Sequence, residues 1–216
     1  LPLNTFYMQQ YAGVDEKTGE SLWFIDVTDD KGNVSKSTTS DYSKATKYLS
    51  GNPYPYLYGG FGTNLSFYGF DVSVQFTYSL GGLTYDSGYA ALVSSPTATS
   101  YQNYHKDVKN AWTPENPSAT MPRFQYGDLY TSATSNRFLV PASYLNFQNA
   151  QIGYTLPTAL VNKATISKIR LYLTCDNIWY CSYRNGLDPR QSLSGATSSA
   201  MASPIRTISG GISLTF

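Results

Sequence analysis

His105 is the only imidazole in 216 residues, so a general base or a nitrogen ligand for a metal would have to be built on it. Neither chemistry has company, because no Cys/His pair stands at ligand spacing and no nucleophile motif accompanies it. The sequence places His105 in loop packing. Asp15, Asp29 and Asp30, with Gly32-Asn33 close by, offer carboxylates to a hard cation. Their spacing matches no EF-hand loop, and they read as a solvated loop. Cys175 and Cys181 lie six apart in one strand-like run, about 20 Å when extended, whereas a disulfide needs Cα atoms within about 7 Å. Two unpaired, structural thiols are expected. No residue is assigned to catalysis, to a cofactor, to a metal or to substrate binding, and the chain is read as not an enzyme.

What such residues would need is a scaffold, and composition narrows it. The chain carries 20 Tyr, 10 Phe and 3 Trp with only 13% charged residues, where soluble domains average about 25% charge. Ionic surface is replaced by Ser, Thr, Asn, Gln and Tyr, which suits an interface or a lumen. A net charge of +1, with no Lys/Arg cluster or basic helix, excludes nucleic acid as an expected partner. No run of about 18 apolar residues encodes a transmembrane helix. The chain opens on Leu1-Pro2 without a basic or apolar leader, so an exported protein of this sequence is expected to be processed or a fragment.

Period-two alternation supplies the elements. The last ten residues set Ile208, Ile212, Leu214 and Phe216 against Thr207, Ser209, Ser213 and Thr215. Leu57–Phe67 and Phe70–Leu80 form the cleanest hairpin, turning at Tyr68-Gly69, where glycine supplies a positive φ. In 142–156 the apolar phase moves from odd positions (Leu145, Phe147) to even ones (Ala150, Ile152, Tyr154), which predicts a β-bulge at 148–150. Residues 168–181 alternate again and turn Arg170 and Asp176 toward polar surroundings. Residues 6–13 read as one short strand. Residues 14–56 read as a long loop with a short hairpin around Ser21–Val27, and 81–141 as irregular chain with a short helix near 101–112. Connections of 157–167 and 182–203 complete the chain.

These strands fit two solutions. A soluble sheet packs its apolar face inward, whereas a membrane barrel turns it to lipid and its polar face to the lumen. Two features favour the barrel: the aromatic carboxyl-terminal residue, and connections that alternate between short and long, as periplasmic turns and extracellular loops do. On that reading Val72, Val74, Leu171, Leu173, Ile212 and Leu214 should be exposed to lipid, and Phe61, Phe67, Phe70, Phe76 and Trp179 should face lipid or form girdles. Tyr101, Tyr104, Trp112 and Tyr130, in loops, fit packing better than sugar stacking.

The ordered set Tyr58-Gly59-Gly60-Phe61-Gly62-Thr63, Gly69-Phe70-Asp71, His105-Lys106-Asp107, Ala111-Trp112-Thr113-Pro114-Glu115-Asn116, Ala142-Ser143-Tyr144-Leu145, Gln151 through Pro157, and Gly186-Leu187-Asp188-Pro189 resembles the barrel of SusC/RagA-type TonB-dependent transporters. The resemblance runs from about Tyr11 to Phe216. It implies an all-β, antiparallel transmembrane β-barrel segment, the last five or six strands of a 22-stranded outer-membrane barrel with long extracellular loops. Residues 1–216 would be the carboxyl-terminal part, with the amino-terminal plug absent from the chain. The implied partners are a SusD-like surface lipoprotein, the TonB complex acting through that amino-terminal part, outer-membrane lipid, and an oligosaccharide or peptide substrate. No cofactor is implied. The alternatives are a secreted carbohydrate-binding β-sandwich with its apolar faces packed inward and a small self-contained outer-membrane barrel.

Overall fold

The computed structural model describes residues 2–97, 103–128, 130–161, 166–191, 193–196 and 203–216. In chain order the strands are β1 Tyr7–Gln9, β2 Tyr11–Val14, β3 Ser21–Thr28, β4 Val34–Thr39, β5 Lys47–Leu49, β6 Leu57–Phe67 and β7 Phe70–Leu80. They continue with β8 Leu83–Tyr85, helix α1 Ser87–Leu92, β9 Leu139–Pro141, β10 Tyr144–Thr155, the one-turn helix α2 Thr158–Val161, β11 Lys168–Ser182 and β12 Thr207–Thr215. The chain divides into two compact units: Leu1–Tyr54, Leu83–Val140 and Ser192–Ala200 form one, and Pro55–Gly82, Pro141–Gln191 and Met201–Phe216 the other.

The second unit is a five-stranded antiparallel sheet in the order β12-β11-β10-β7-β6, and its strands match the alternating segments of the sequence. Tyr68 and Gly69 close the β6–β7 hairpin at φ 47° and 84°. Positive φ at both central residues is the twist-compatible hairpin geometry, so the turn asks more of Tyr68 than the sequence reading required. The predicted fault in β10 is present: pairing shifts between Phe147 and Asn149 against both β7 and β11. Across it, Asn177 of β11 adopts φ 50°. The shift returns Ala150, Ile152 and Tyr154 to the face that carries Leu145 and Phe147, because residues paired across strands share a face. The starts of β6, β10 and β12 and the ends of β7 and β11 lie at one end of this sheet. All the long connections leave from there, while the 68–69 turn and the 156–167 connection close the other end.

The first unit corrects the loop reading of 14–56. β2, β3 and β4 form a three-stranded meander, and β1 pairs with β5. Residues 6–13 are therefore two strands with different partners, parted at Gln10, whose carbonyl accepts from Phe24 N at 3.0 Å. The meander escaped the pattern because β4, Val-Ser-Lys-Ser-Thr-Thr, is almost wholly exposed and offers no apolar alternation. The segment 81–141 is likewise more ordered than expected. Asp86 caps α1 by accepting from Tyr89 N at 2.9 Å. Ala90 and Val93 bury against Ala111, Met121 and Phe138, with Tyr85, Tyr89, Val108 and Phe124 around them. The helix expected near 101–112 is one 3-10 segment, Lys106–Asn110; residues 101 and 102 lie outside the described residues.

Candidate functional site: a two-faced sheet and a folded loop body

Register places the sheet's apolar side chains in rows. Phe67, Phe70, Tyr154, Leu171 and Ile212 are consecutive cross-strand partners, and so are Phe61, Phe76, Phe147 and Trp179. The rings touch along these rows: Phe70 to Tyr154 at 4.5 Å, Phe61 to Phe76 at 5.1 Å and Phe76 to Phe147 at 4.5 Å between centroids. Between the two aromatic rows run aliphatic ones, of which Leu65, Val72, Ile152 and Leu173 are one. From Phe70 in the first aromatic row to Tyr78, two residues beyond Phe76 of the second, the chain rises about 26 Å along the strand. At barrel tilt this is about 20 Å of height, comparable to the apolar band of roughly 25 Å between aromatic girdles. Leu171, Leu173, Ile212 and Leu214 are 44, 51, 66 and 49% exposed, so no protein core receives them. Val72 and Val74 are half-buried between neighbouring strands. A sandwich with its apolar face inward would have buried all six.

The opposite face is hydrogen-bonded and carries charge. Arg170 donates from Nε to Asp71 Oδ1 at 3.0 Å and from Nη2 to the other carboxylate oxygen, a bidentate pair bridging β7 and β11 across β10. Gly153 makes this bridge possible: a Cβ there would stand 2.5 Å from Arg170 Nη2 and 2.6 Å from both Asp71 oxygens. Asn149 Nδ2 donates to Asp176 Oδ1 at 2.7 Å, and Asn146 Nδ2 to Thr77 Oγ1 at 3.3 Å. Arg170 and Asp176 thus face polar neighbours, as the alternation required. Cys175 and Cys181 sit along β11 with free thiols.

In the loop body the residues singled out for chemistry are occupied structurally. His105 Nδ1 accepts from Asp107 N at 3.3 Å and so caps the 3-10 helix, while its ring packs edge-on against Tyr89. Asp15 accepts from Lys17 N (2.7 Å) and Thr18 N (3.1 Å), and the backbone bond from Lys17 is the main cause holding its carboxyl below the ordinary range. Asp29 is lowered chiefly by Asn33 Nδ2 at 3.0 Å, with Asn33 N and Lys31 N adding to it. Of the loop aromatics, Tyr104 packs edge-on against Phe124, and Tyr130 stacks on Tyr42. The Trp112 ring occupies the space a Cβ at Gly19 would need. Tyr101 lies outside the described residues.

Two arginines carry more of this body than the sequence indicated. Arg123 joins Asp128 (2.9 Å), Glu20 (3.0 Å) and the Thr18 carbonyl (3.1 Å), tying the turn before β3 to the chain around 123–128. Arg137 is half-buried among Tyr11, Phe138 and Met121. Neither sits in an alternating segment, so no periodic signal marked them.

With strand order, faces and loop body in place, the chain can be set beside known proteins. No protein-family model matches it. It is 26% identical over 192 residues to TonB-dependent receptor P3 of Formosa agariphila, covering 87% of this chain and 18% of that protein. It is 25% identical over 177 residues to TonB-dependent receptor P26 of the same organism, covering 77% of this chain and 17% of that one. Among solved structures, the RagAB peptide transporter superposes with a TM-score of 0.77 at 27% identity over 98% of this chain. The RagAB peptide importer in its closed-closed state gives 0.79 at 27% identity over the whole chain. The chain is SusC/RagA-like. It spans about a fifth of the length of the curated relatives it matches and about a quarter of the matched RagAB chains. As a SusC/RagA-like segment its sheet is a stretch of β-barrel wall, and the likeness extends through the loop body, since nearly every residue is matched.

Proposed function

We propose that residues 1–216 form the carboxyl-terminal part of the barrel wall of a TonB-dependent outer-membrane importer, which takes up glycans or peptides together with a SusD-like surface lipoprotein. The observation carrying this reading is the sheet: an exposed apolar face bounded by aromatic rows, a hydrogen-bonded polar face behind it, and strands β6 and β12 with no further partner among the described residues. Five strands cannot close around the interior room such a barrel holds, and unpaired strand edges in lipid are costly, so β6 and β12 would pair with other parts of the barrel. Energy would reach the barrel through TonB acting on its amino-terminal part. The 68–69 turn would face the periplasm, and the long connections the outside.

One stretch of the long connections is short of charge: Gly81 to Ser100 contains only Asp86. Much of that stretch packs in the core around α1, and its exposed residues Ala91, Leu92 and Thr97 would suit a surface meeting the lipoprotein, since charged residues are depleted at interface cores. Affinity purification of the membrane-extracted protein carrying this chain tests the reading. Detergent-dependent solubility and co-purification of a SusD-like lipoprotein are expected. A protein that stays monomeric and folded without detergent or lipid would overturn it.

A further inference from the structure

Among the described residues Arg137 lacks a counter-charge. It stands on the 3-10 helix Asn136–Phe138 with its guanidinium over the Tyr11 and Phe138 rings, 5.0 and 5.2 Å from their centroids. Two of its five N–H groups have partners, Nη1 on the Thr131 carbonyl at 2.7 Å and Nη2 on Met121 Sδ at 3.0 Å. A thioether is a weak acceptor for a charged donor, and no carboxylate comes within ion-pair distance of Arg137 among the described residues. The Asp107 carboxylate is engaged elsewhere, accepting from Tyr89 OH at 2.7 Å with His105 Nδ1 3.2 Å away. The guanidinium is half-buried, and a cation left without an anion gains most from one that a ligand supplies.

The same guanidinium lines a cavity of about 290 Å³ with Tyr89, Asp107, Asn110, Thr120 and Met121. This is near the small end of ligand pockets and suits one sugar ring or the end of one peptide rather than a long chain. Its walls are unequal. One carries the under-bonded guanidinium fork, which matches a carboxylate in two-point geometry; another carries Asp107, Asn110 and Thr120, which can bond hydroxyl or amide groups. Inorganic anions would meet the Asp107 charge and gain nothing from the amide and hydroxyl groups. A carboxylate attached to a polar body uses both walls.

We infer that this cavity binds a carboxylate-bearing ligand, with Arg137 as the residue that pairs with the carboxylate. Two sources share that chemistry: the uronic acid of an acidic glycan and the free carboxyl terminus of a peptide. Treating either as cargo rests on the importer reading; the binding itself does not, so a binding assay separates the two claims. Calorimetric titration of the detergent-solubilised protein with digalacturonate, with a short peptide bearing a free carboxyl terminus, and with its amidated form and a neutral disaccharide as controls is the test.

One of the two carboxylate probes should bind and its uncharged control should not, which also names the source. Arg137→Lys, which keeps the charge and loses the fork, should weaken binding at least tenfold. Asn110→Trp, at an exposed position of the wall, should block it without changing the melting temperature, which guards against a misfolded Arg137 variant. Absence of binding by both carboxylates, equal binding of the controls, or affinities unchanged in Arg137→Lys and Asn110→Trp would overturn the inference.

Discussion

The five-stranded sheet and the body made from the long connections differ in where their apolar side chains go. In the sheet they point away from protein: Leu171, Leu173 and Trp179 are exposed in rows, and stability within the chain comes from ladder hydrogen bonds, cross-strand ring contacts and the polar network around Arg170. In the loop body they point inward. Trp23 is fully buried between Tyr11 and Tyr42 at 5.4 and 5.1 Å, and Ala90, Val93, Ala111, Met121 and Phe138 make a small core of their own. One chain thus holds two solvent strategies, a surface built for an apolar medium and a core built for water.

Trp23→Ala should break the comparison hardest. Removing a buried tryptophan costs about 3–5 kcal/mol, and hydrogen exchange should show β2, β3 and the 83–140 segment losing protection while β10 and β11 keep theirs. Equal loss in both regions would mean that they do not unfold separately. Leu173→Arg, in the aliphatic row between the aromatic ones, is the complementary change and should cost about 2–4 kcal/mol in lipid near the bilayer midplane. A fully solvated Leu173 would tolerate it at little cost, so unfolding titrations in vesicles read the medium directly. Gly153→Ala comes next, since its methyl group would collide with the Arg170–Asp71 bridge; overpacking of this kind costs about 1–3 kcal/mol, and Asp71→Ala in the same background should relieve part of it.

The sequence showed the first region far better than the second, for a physical reason. A strand exposed to lipid on one face and polar on the other must alternate, so β6, β7, β10, β11 and β12 and the bulge after Phe147 were legible at period two. The loop body is built from contacts distant in sequence, such as Gly19 under Trp112 or Arg123 reaching Glu20, and β4 has no buried face to give it a period. Asp86, read as the lone charge of an uncharged stretch, is the cap of a helix that was not anticipated. Residues 87–93 therefore belong to a core, and deleting them would damage the body rather than trim a contact surface. Arg137, the residue with the clearest unmet bonding capacity, was invisible because its setting exists only after folding.

The smallest expected effect concerns pH. Asp188 follows β11 and is buried, which by itself raises its pKa, but three bonds from Arg190, to its Oδ1 from N at 3.0 Å and Nε at 2.8 Å and to Oδ2 from Nη2 at 2.7 Å, outweigh burial and hold it below the ordinary carboxylate range. A depressed native pKa stabilises the fold above the unfolded value, about 3.9, and that contribution is lost as pH falls through the lower native value. Unfolding measured against pH should therefore show a stability gap between the parent and Asp188→Asn above about pH 4, closing on acidification. A gap that widens in acid would reverse the assignment.

The central claim, that the apolar sheet face meets lipid, is tested most directly by nitroxide scanning of residues 169 to 174 of β11, one cysteine at a time, in a Cys175→Ser/Cys181→Ser background reconstituted in bilayers. Collisions with dissolved oxygen, enriched in lipid, should peak at 169, 171 and 173, and collisions with a water-soluble nickel chelate should follow the opposite phase. The account is contradicted if the labels at 171 and 173 are reached preferentially by the nickel chelate.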